Sequence, residues 1–343
     1  MDSKRSRKAN ITILDVARES GVSYSTVSRV LNGYGSLKET TRAKVLAAAE
    51  KLGYVANIKA RSLAGGKTRF VGILVPGLDN AYISEIVSGV DQELTRSGYD
   101  MMLYTTHRYA GKEAIYVKTI ANGLVDGLLL IVPLNLRTYL DALPSSDFPH
   151  VLIDQIDPEH KSTTVDSTNW QGAYDAVSYL IGLGHSRIGF ISGTMELNSA
   201  IERLDGYRAS LRHHRIPYDE SLVITGDYLP EGGYTATKAL LALPKRPTAI
   251  FASNDLSAFG ALDAIHEARL RIPADISVVG FDDIPHASLV FPRLTTVRQP
   301  LVQIGQMAVR LLLEQLENPV VVARRVTLST ELVIRDSCAP PPG

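Results

Sequence analysis

The chain has 343 residues, about twice the length of a typical single domain of ~150 residues, so at least two folding units are expected. Hydrophobic residues make up 45% and charged residues 21%, which excludes a disordered or fibrous protein. The single cysteine, Cys338, excludes a disulfide framework and a cysteine metal cluster. The polar, basic N-terminus shows no signal-peptide pattern, and no apolar run approaches the ~20 residues of a membrane span. We therefore expect a cytoplasmic protein that is not associated with a membrane.

The net charge of zero is the balance of two oppositely charged parts. Residues 1–67 contain 13 Lys/Arg and 5 Asp/Glu residues, a net charge of +8, and residues 68–343 carry a net charge of −8. Charge asymmetry of this kind indicates a polyanion as the partner of the basic part. A solvated basic tail is the alternative, and it applies where the basic residues follow no pattern. Here the basic part is patterned.

The first predicted elements are two short helices with a break between them. Thr12 is a good N-cap for the first helix, and Asp15 falls at its third position, a variant of the capping box. This helix is expected to bury Leu14, Val16 and Ala17. A Ser-Gly-Val tripeptide then ends the helix, because glycine can adopt a left-handed turn.

The second predicted helix has one apolar face and one polar, basic face. Ser23 caps it, and its apolar face holds Val27, Val30 and Leu31. The opposite face presents two i, i+4 pairs, formed by Tyr24, Ser25, Ser28 and Arg29. Such a helix suits the major groove of DNA, where Arg29 can bind guanine through two parallel hydrogen bonds. An ordinary helical hairpin with a polar surface is the alternative on spacing alone.

A third helix and a basic linker complete this part of the chain. The third helix, about Glu39 to Leu52, is expected to close the bundle with Val45, Leu46, Ala49 and Leu52. The linker ends in two glycines and could form a short helix from Asn57 to Ala64. A lone helix of this length is marginal in water, so it needs a partner or DNA to fold.

The basic part resembles the LacI/GalR family of bacterial transcription regulators. The resemblance rests on the run D-V-A-x-x-x-G-V-S-x-x-T-V-S-R-V-L-N from Asp15 to Asn32 and on the hinge A-R-x-L at 60–63. It implies that two hinge helices, one per subunit, order on the operator and enter its minor groove, with Leu63 as an apolar wedge. A contact of Leu63 with the rest of the protein is the alternative. One departure is Ala56, where the family usually has proline.

The resemblance implies a set of DNA-binding residues shared between the helix-turn-helix and the hinge. These residues are Thr12, Ser23, Tyr24, Ser25, Thr26, Ser28, Arg29, Asn32, Asn57, Ala60 and Leu63.

From Phe70 onward, short apolar strands alternate with amphipathic helices. Alternation of this kind predicts parallel sheets covered by helices on both faces, with ligands at the carboxyl ends of the strands. The length favours two lobes, and a TIM barrel is the alternative. The predicted helices include 82–97, 170–183 and 256–268. The predicted strands are 70–75, 100–104, 127–132, 150–153, 188–192, 222–225, 249–252 and 278–281.

The family resemblance extends over residues 10–336 and favours the two-lobed fold. It rests on stretches such as Val71–Pro76, Pro247–Ala252 and Asp275–Asp283. The predicted fold is a small all-α helix-turn-helix DNA-binding domain plus an α/β two-lobed, periplasmic-binding-protein-like core with two doubly wound parallel sheets and three crossovers. The implied divisions are a DNA-binding domain at 1–56, a hinge helix and linker at 57–67, an effector-binding and dimerisation core at 68–336 and a disordered tail at 337–343. Within the core, lobe one takes 68–167 and 299–327, and lobe two takes 168–298 and 328–336.

Polar side chains that follow the predicted strands are candidates for an effector site. Ligand clefts place a few polar groups on an otherwise apolar wall, and carboxylates with an arginine suit sugar hydroxyls, which both donate and accept. Positions carried over from the family as effector contacts are Asn80, Asp154, Arg203, Tyr228, Asn254 and Asp282, with Tyr228 stacking on the ligand ring.

Alternatives and departures accompany these assignments. Asn80 could instead cap the helix near Tyr82, and Asp255 is expected to cap the helix that begins at 256. The family's Asn-Pro-Phe-Phe is replaced by residues 80–83, Asn-Ala-Tyr-Ile, and its Asp-Asn pair by residues 168–169, Thr-Asn. These changes leave the identity of the ligand open.

The predicted protein is a homodimeric repressor that binds a pseudo-palindromic DNA operator and responds allosterically to a small effector, with a sugar as first choice. A purine or nucleoside effector is the alternative, with Tyr228 and Trp170 for stacking, and a solute-binding protein without DNA function is a third interpretation. No catalytic constellation, metal-ligand set or cofactor motif is recognised, so we expect no enzyme activity, no metal and no cofactor.

Overall fold

The fold is described from a computed structural model over residues 11–31, 37–54, 67–78, 80–106, 113–145, 147–318 and 322–342. The chain divides into two compact units, Met1–Thr68 and Arg69–Gly343, called here the head and the core. The predicted DNA-binding residues Asn32, Asn57, Ala60 and Leu63 lie outside the described residues.

Within residues 11–31 and 37–54, the head has three helices around a small aliphatic centre. They are α1 (Ile13–Ser20), α2 (Tyr24–Leu31) and α3 (Glu39–Leu52). Gly21 follows α1 with a φ of 68°, the left-handed turn that the sequence predicts. The buried centre consists of Val16, Val27, Val30, Val45, Ala48 and Ala49. The helix-turn-helix prediction is confirmed.

Two residues predicted to lie in the centre of the head are exposed instead. Leu14 is 57% exposed and Leu46 is 47% exposed, so both predictions were wrong. In each helix the buried face follows i, i+3 and i+4 spacing from the residue next to the leucine in sequence, Ile13 in α1 and Val45 in α3. The leucine is therefore rotated about 100° away from the centre.

The core alternates strands and helices. The helices are α4 (Ala81–Arg96), α5 (Glu113–Ala121), α6 (Leu136–Leu140), α7 (Asn169–Gly182), α8 (Asn198–His213), α9 (Pro230–Leu241), α10 (Asp255–Glu267) and α11 (Leu301–Glu317), with single 3₁₀ turns at Glu220–Leu222 and Pro285–Ser288. The strands are β1 (Phe70–Val75), β2 (Asp100–Thr105), β3 (Gly127–Ile131), β4 (His150–Ile153), β5 (Thr163–Ser167), β6 (Ile188–Ser192), β7 (Val223–Thr225), β8 (Ala249–Ala252), β9 (Ser277–Asp282), β10 (Thr295–Arg298), β11 (Arg325–Leu328) and β12 (Glu331–Val333).

The strands form two six-stranded sheets, and each sheet with its helices makes one lobe. The first sheet has the order β11-β5-β4-β3-β1-β2 and the second the order β12-β10-β9-β8-β6-β7. The two separate sheets exclude the TIM-barrel alternative and confirm a two-lobed, doubly wound core. One pairing corrects the expectation of purely parallel sheets, because β12 runs antiparallel to β10 at the edge of the second sheet.

The chain passes between the two sheets three times, and polar side chains join these crossovers. The Ser167 hydroxyl donates to Gln299 Oε1 at 2.6 Å, and Gln299 Nε2 donates to Asp282 Oδ1 at 2.7 Å. The hydroxyls of Thr168 and Thr330 lie 2.8 Å apart. These bonds connect the crossovers next to the carboxyl ends of the strands.

The segment predicted as a disordered tail is packed against lobe two over residues 337–339, so that prediction was wrong for these residues. Ser337 is fully buried, accepts from the Thr295 amide at 2.8 Å and donates to the Val278 carbonyl at 2.6 Å. The Ala339 amide donates to Ser277 Oγ at 3.1 Å. The segment is ordered because its backbone and small polar side chains satisfy buried groups beside β9 and β10. None of the helices in the described ranges has both the length and the apolar character that a membrane crossing requires.

Candidate functional site

A cavity of about 70 Å³ lies between the carboxyl ends of the strands of both lobes. All six predicted effector residues line it: Asn80, Asp154, Arg203, Tyr228, Asn254 and Asp282. The remaining lining residues are Pro76, Tyr82, Ile83, Val132, Leu134, Thr194, Leu197 and Asp227. The structure thus gathers polar groups from both lobes around one space with an apolar lining, which is the usual form of a small-molecule site.

Two of the predicted residues, Asn80 and Asn254, are N-caps of helices that begin at the cavity. Asn80 Oδ1 accepts from the Tyr82 amide at 2.9 Å, and Asn254 Oδ1 accepts from the Ser257 amide at 2.9 Å. Capping was the alternative given for Asn80, and both helices gain an N-cap of a favoured residue type. Each side chain therefore offers the cavity its amide nitrogen, and that of Asn254 also donates to the Tyr228 carbonyl at 3.1 Å.

Asp255 does not have the capping role predicted for it. It is fully buried, where its carboxylate accepts from the Thr296 hydroxyl at 2.5 Å and from the Ile284 amide at 2.9 Å. The helix begins one residue earlier than predicted, so the preceding Asn254 occupies the cap position. Asp255 instead joins α10 to β10 and to the segment after β9.

Arg203 is the central charged group of the cavity and lies on α8. It is almost completely buried, and its guanidinium lies 3.8 Å from the centroid of the Phe281 ring. Nε donates to Asn169 Oδ1 at 2.9 Å, and Nη1 donates to the Ser253 carbonyl at 2.5 Å. These contacts fix the planar fork in place, which is the pre-organisation that bidentate recognition of a ligand needs.

Two buried aspartates face this arginine, one from each lobe. Asp282 Oδ1 lies 3.9 Å from Arg203 Nη1, and Asp154 accepts from Ser199 Oγ at 3.3 Å across the two lobes. Burial raises the pKa of Asp154 to about 6 and the pKa of Asp282 to about 7, and Arg203 opposes both shifts.

The backbone around the cavity is strained at the ends of strands. Val132, Asp154, Tyr228 and Asp282 have φ values of 48°, 58°, 65° and 119°, and all four line the cavity. Non-glycine residues in this region cost of order 1–3 kcal/mol each and cluster at functional sites. The strain accompanies the sharp turn of the chain that points these side chains into the cavity.

Tyr82 belongs to residues 80–83, which depart from the family pattern, and it is not among the effector-binding residues predicted from the sequence. Its ring lines the cavity, and its buried hydroxyl finds no hydrogen-bond partner among the described residues. Burial and the nearby Asp154 carboxylate raise the pKa of this phenol. The Tyr228 hydroxyl is buried without such a partner as well. The sequence feature that points to Tyr82 as a site residue is the replacement of the family's Asn-Pro-Phe-Phe by residues 80–83.

Trp170, which was suggested for stacking on a nucleobase, is not part of the cavity lining. It is 40% exposed and stacks on Tyr174 with the ring centroids 5.2 Å apart. Tyr228 is the only one of the two proposed stacking aromatics that lines the cavity.

The predicted DNA-binding residues of the head lie on and around α2. Tyr24, Ser25 and Arg29 are exposed, whereas Thr26 and Ser28 are half-buried. The Ser23 hydroxyl accepts from the Thr26 amide at 3.2 Å, as a cap of α2 does. These contacts give α2 a defined start from which its polar side chains project.

Thr12 has a matching role at the start of α1. The Asp15 carboxylate accepts from the Thr12 amide at 2.9 Å and from the Thr12 hydroxyl at 2.8 Å. These bonds hold the pKa of Asp15 below its usual value, and the predicted capping box between Thr12 and Asp15 is present.

Comparisons with known proteins agree with this division of the chain. Residues 12–57 match the model for bacterial regulatory proteins of the lacI family, and residues 177–338 match the periplasmic binding protein-like domain. The ribose operon repressor of Escherichia coli strain K12 is 35% identical over 95% of this chain and 99% of its own length.

Two solved structures share the whole architecture. One is the lac repressor dimer bound to operator and the anti-inducer ONPF, with 30% identity, a TM-score of 0.83 and coverage of 96% of this chain and 99% of that one. The other is a complex of the transcriptional regulator CelR with cellobiose, with 32% identity, a TM-score of 0.74 and coverage of 95% and 99%.

Proposed function

Because this chain belongs to the LacI family of bacterial DNA-binding transcriptional regulators, we propose that it is a homodimeric repressor whose operator affinity is set by a sugar bound between the two lobes of its core. It would act in the cytoplasm, on chromosomal DNA. The core is the allosteric part of the protein and the head is the DNA-binding part.

The observation that carries the proposal is the chemistry of the cavity that Arg203 lines. Three carboxylates, a fixed guanidinium and two amides line it from both lobes, together with two phenols. Sugar hydroxyls donate and accept hydrogen bonds at once, so they can satisfy both the carboxylate oxygens and the guanidinium N–H groups. The apolar lining, which includes Ile83, Val132 and Leu197, suits the C–H faces of a sugar ring.

The names of similar proteins support this class of ligand. One full-length relative is a ribose operon repressor, and one structure of the same architecture contains cellobiose. A purine effector depends on stacking, and of the two aromatics suggested for it only Tyr228 lines the cavity. We therefore favour a sugar.

On the DNA side, we propose that α2 lies in the major groove of each half of a pseudo-palindromic operator. Tyr24, Ser25 and Arg29 are exposed and project from the helix near its beginning and along one side. In helix-turn-helix proteins these positions contact base edges, and the two-fold symmetry of a dimer is mirrored by the operator. Asn57, Ala60 and Leu63 would contact the centre of the operator as hinge residues.

Exposed apolar side chains on lobe two support a dimer. Leu289 is 76% exposed and Phe291 is 90% exposed, and both follow the 3₁₀ turn after β9. Adjacent large apolar groups at this exposure are typical of a surface that another protein covers. A second copy of the chain is the occupant that the family architecture provides.

The mechanism is linkage between two binding sites. Asp154 of lobe one already contacts Ser199 of lobe two, and Gln155 Nε2 donates to the Glu196 carbonyl at 3.2 Å. A sugar that binds between these groups joins both lobes and favours one degree of closure. Operator affinity then changes by the coupling free energy, typically 1–3 kcal/mol, and DNA changes the affinity for the sugar by the same factor.

Thermal unfolding of the full-length protein against a panel of free sugars tests the proposal. A sugar present at 100 times its dissociation constant adds about 2.7 kcal/mol to the stability of the folded protein, so its melting temperature rises measurably. A panel of nucleobases and nucleosides serves as the comparison. A shift confined to the nucleobases would contradict the sugar assignment.

A further inference from the structure

The buried charges around the cavity do not balance. Asp154, Asp282 and Asp255 are each at most 8% exposed, and Arg203 is the single cation among the described residues that line the cavity. Asp227, which is exposed, is the third carboxylate of the lining after Asp154 and Asp282. The site therefore contains more acidic than basic groups before any ligand binds.

Neighbouring arginines do not correct this excess. Arg298 and Arg335 both approach from the crossover side, but they bind Asp283 at 2.7 Å and 2.6 Å. Burial raises the pKa of the Asp255 carboxyl, and the nearby Asp282 raises it further. The guanidinium groups of Arg298 and Arg335 are therefore already paired with Asp283. Arg203 is the arginine that can still bind a ligand.

One amide of each helix N-terminus at the cavity already has a side-chain acceptor. Two helices, α4 and α10, begin at the cavity, and exposed N–H groups at a helix N-terminus ordinarily attract a phosphate or carboxylate. Here Asn80 Oδ1 and Asn254 Oδ1 accept hydrogen bonds from these N-terminal amides. The first turns therefore present side-chain amides to the cavity.

An independent observation indicates which groups a ligand must supply. The hydroxyls of Tyr82 and Tyr228 are buried and make no hydrogen bond of normal geometry with the described residues. The Asp154 carboxylate lies near the hydroxyl of Tyr82, and Ser199 lies near that of Tyr228. Tyr82 is 93% buried and lines the cavity. A buried, unsatisfied hydroxyl is unfavourable until a partner arrives. Neutral hydroxyl groups of a ligand can act as that partner without adding charge.

We propose that the cavity selects an uncharged, hydroxyl-rich ligand, a free sugar, and excludes sugar phosphates and other anions. This inference rests on the proposed function and specifies the charge class of the effector. An anionic ligand would add negative charge to a buried site in which burial already disfavours the ionised forms of Asp154 and Asp282, and only one guanidinium would stabilise that charge. The Tyr82 hydroxyl lies on the lobe-one wall of the cavity beside Asp154. It would form a hydrogen bond with a ligand hydroxyl placed next to it, but not with a ligand C–H group.

The direct test compares matched pairs of ligands on the full-length protein by isothermal titration calorimetry. Ribose is paired with ribose 5-phosphate, and glucose, galactose and fructose are each paired with their 6-phosphates. We expect at least one free sugar to bind, and its phosphate to bind at least about tenfold more weakly. Tighter binding of a phosphate than of its free sugar would overturn the proposal.

The variant Asp154→Asn tests the charge argument within the same experiment. Asparagine keeps the acceptor for Ser199 and tolerates the positive φ of 58° at this position. The discrimination against the phosphate should fall several-fold in this variant. The matched control Asp263→Asn, on the exposed face of α10, should leave the discrimination unchanged.

A measurement without ligand separates this inference from the proposed function. Asp154 faces Arg203 on α8, Asp166 on β5, Tyr82 on α4 and Asp282 on β9, and burial among them raises its pKa. Because the pKa of Asp154 rises from 3.8 to about 6 on folding, its ionisation destabilises the fold progressively between these two values. Asp154→Asn should therefore raise the melting temperature most at pH 8, less at pH 5, and little at pH values below 3.8.

The outcomes are distinguishable. If no sugar binds in either form but the melting temperature rises as expected, the sugar assignment fails and the charge inference is supported. If a phosphorylated sugar binds best, or if Asp154→Asn lowers the melting temperature at pH 8, the charge inference fails.

Discussion

The ring of Tyr228 lies against the backbone of Gly193, in the space that a Cβ at position 193 would occupy. Tyr228 follows β7 with a φ of 65°, and its ring faces the Arg203 guanidinium at 5.8 Å. Gly193 follows β6, so the absence of a side chain on one strand end allows the aromatic ring from the next to form a wall of the cavity. The close approach of Gly193 and Tyr228 therefore sets the position of the Tyr228 ring, the cavity aromatic that was predicted from the sequence.

Gly193→Ala is expected to displace the Tyr228 ring and weaken sugar binding about tenfold, since the new methyl group overlaps the ring. Titration calorimetry with the identified sugar measures the loss. Gly182→Ala is the control, because a Cβ there meets no atom within 4 Å. Unchanged sugar affinity in Gly193→Ala would show that the position of the ring is not part of the site.

Arg203→Lys is expected to abolish the response to the sugar while operator binding persists. Lysine keeps the positive charge among the buried aspartates but cannot reproduce the planar fork that donates to Asn169 and the Ser253 carbonyl. Fluorescence anisotropy with labelled operator, with and without sugar, measures both properties. Arg212→Lys, on the exposed side of the same helix, should behave like the wild type. Loss of operator binding in Arg203→Lys would instead indicate a folding role.

Arg29→Ala is expected to relax the base preference at one position of each operator half-site, at a cost of about 1–3 kcal/mol. Arg29 is exposed on α2, four residues after the equally exposed Ser25. Binding to a library of operators with single base changes measures the preference. Equal weakening on every sequence would identify Arg29 as a phosphate contact only.

Ser337→Ala is expected to destabilise the core by about 1–3 kcal/mol, because it leaves the buried Thr295 amide without its acceptor. Thermal unfolding of the full-length protein measures the effect. Ser288→Ala, which removes an exposed bond to the Pro285 carbonyl, is the matched control. If both variants have the same stability, the packed C-terminal segment contributes nothing to the fold.

The more apolar a strand is, the more easily the sequence alone predicts it. β1 and β3 consist of Phe-Val-Gly-Ile-Leu-Val and Gly-Leu-Leu-Leu-Ile, and runs of this kind indicate strands buried on both faces. All eight predicted strands are present, within one residue at each end. β5 reads Thr-Thr-Val-Asp-Ser and was not predicted, because its burial comes from tertiary contacts such as the Ser167–Gln299 bond.

The candidate site was predicted through the family resemblance, since spacing alone does not bring together residues as far apart as Asn80 and Asp282. The structure adds the hydrogen-bond partners and the burial of these side chains. The side-chain oxygens of Asn80 and Asn254 accept hydrogen bonds as helix N-caps, and the buried Asp255 carboxylate accepts a hydrogen bond from Thr296. The unsatisfied hydroxyl of Tyr82 is visible only once the neighbouring side chains are in place.

The most direct test of the account is the operator affinity of the full-length protein with and without a sugar that binds the core. A sugar that raises the melting temperature should change the operator dissociation constant by about 5- to 150-fold, which corresponds to a coupling free energy of 1–3 kcal/mol. A sugar that binds between the lobes and leaves operator affinity unchanged would contradict the proposed regulation.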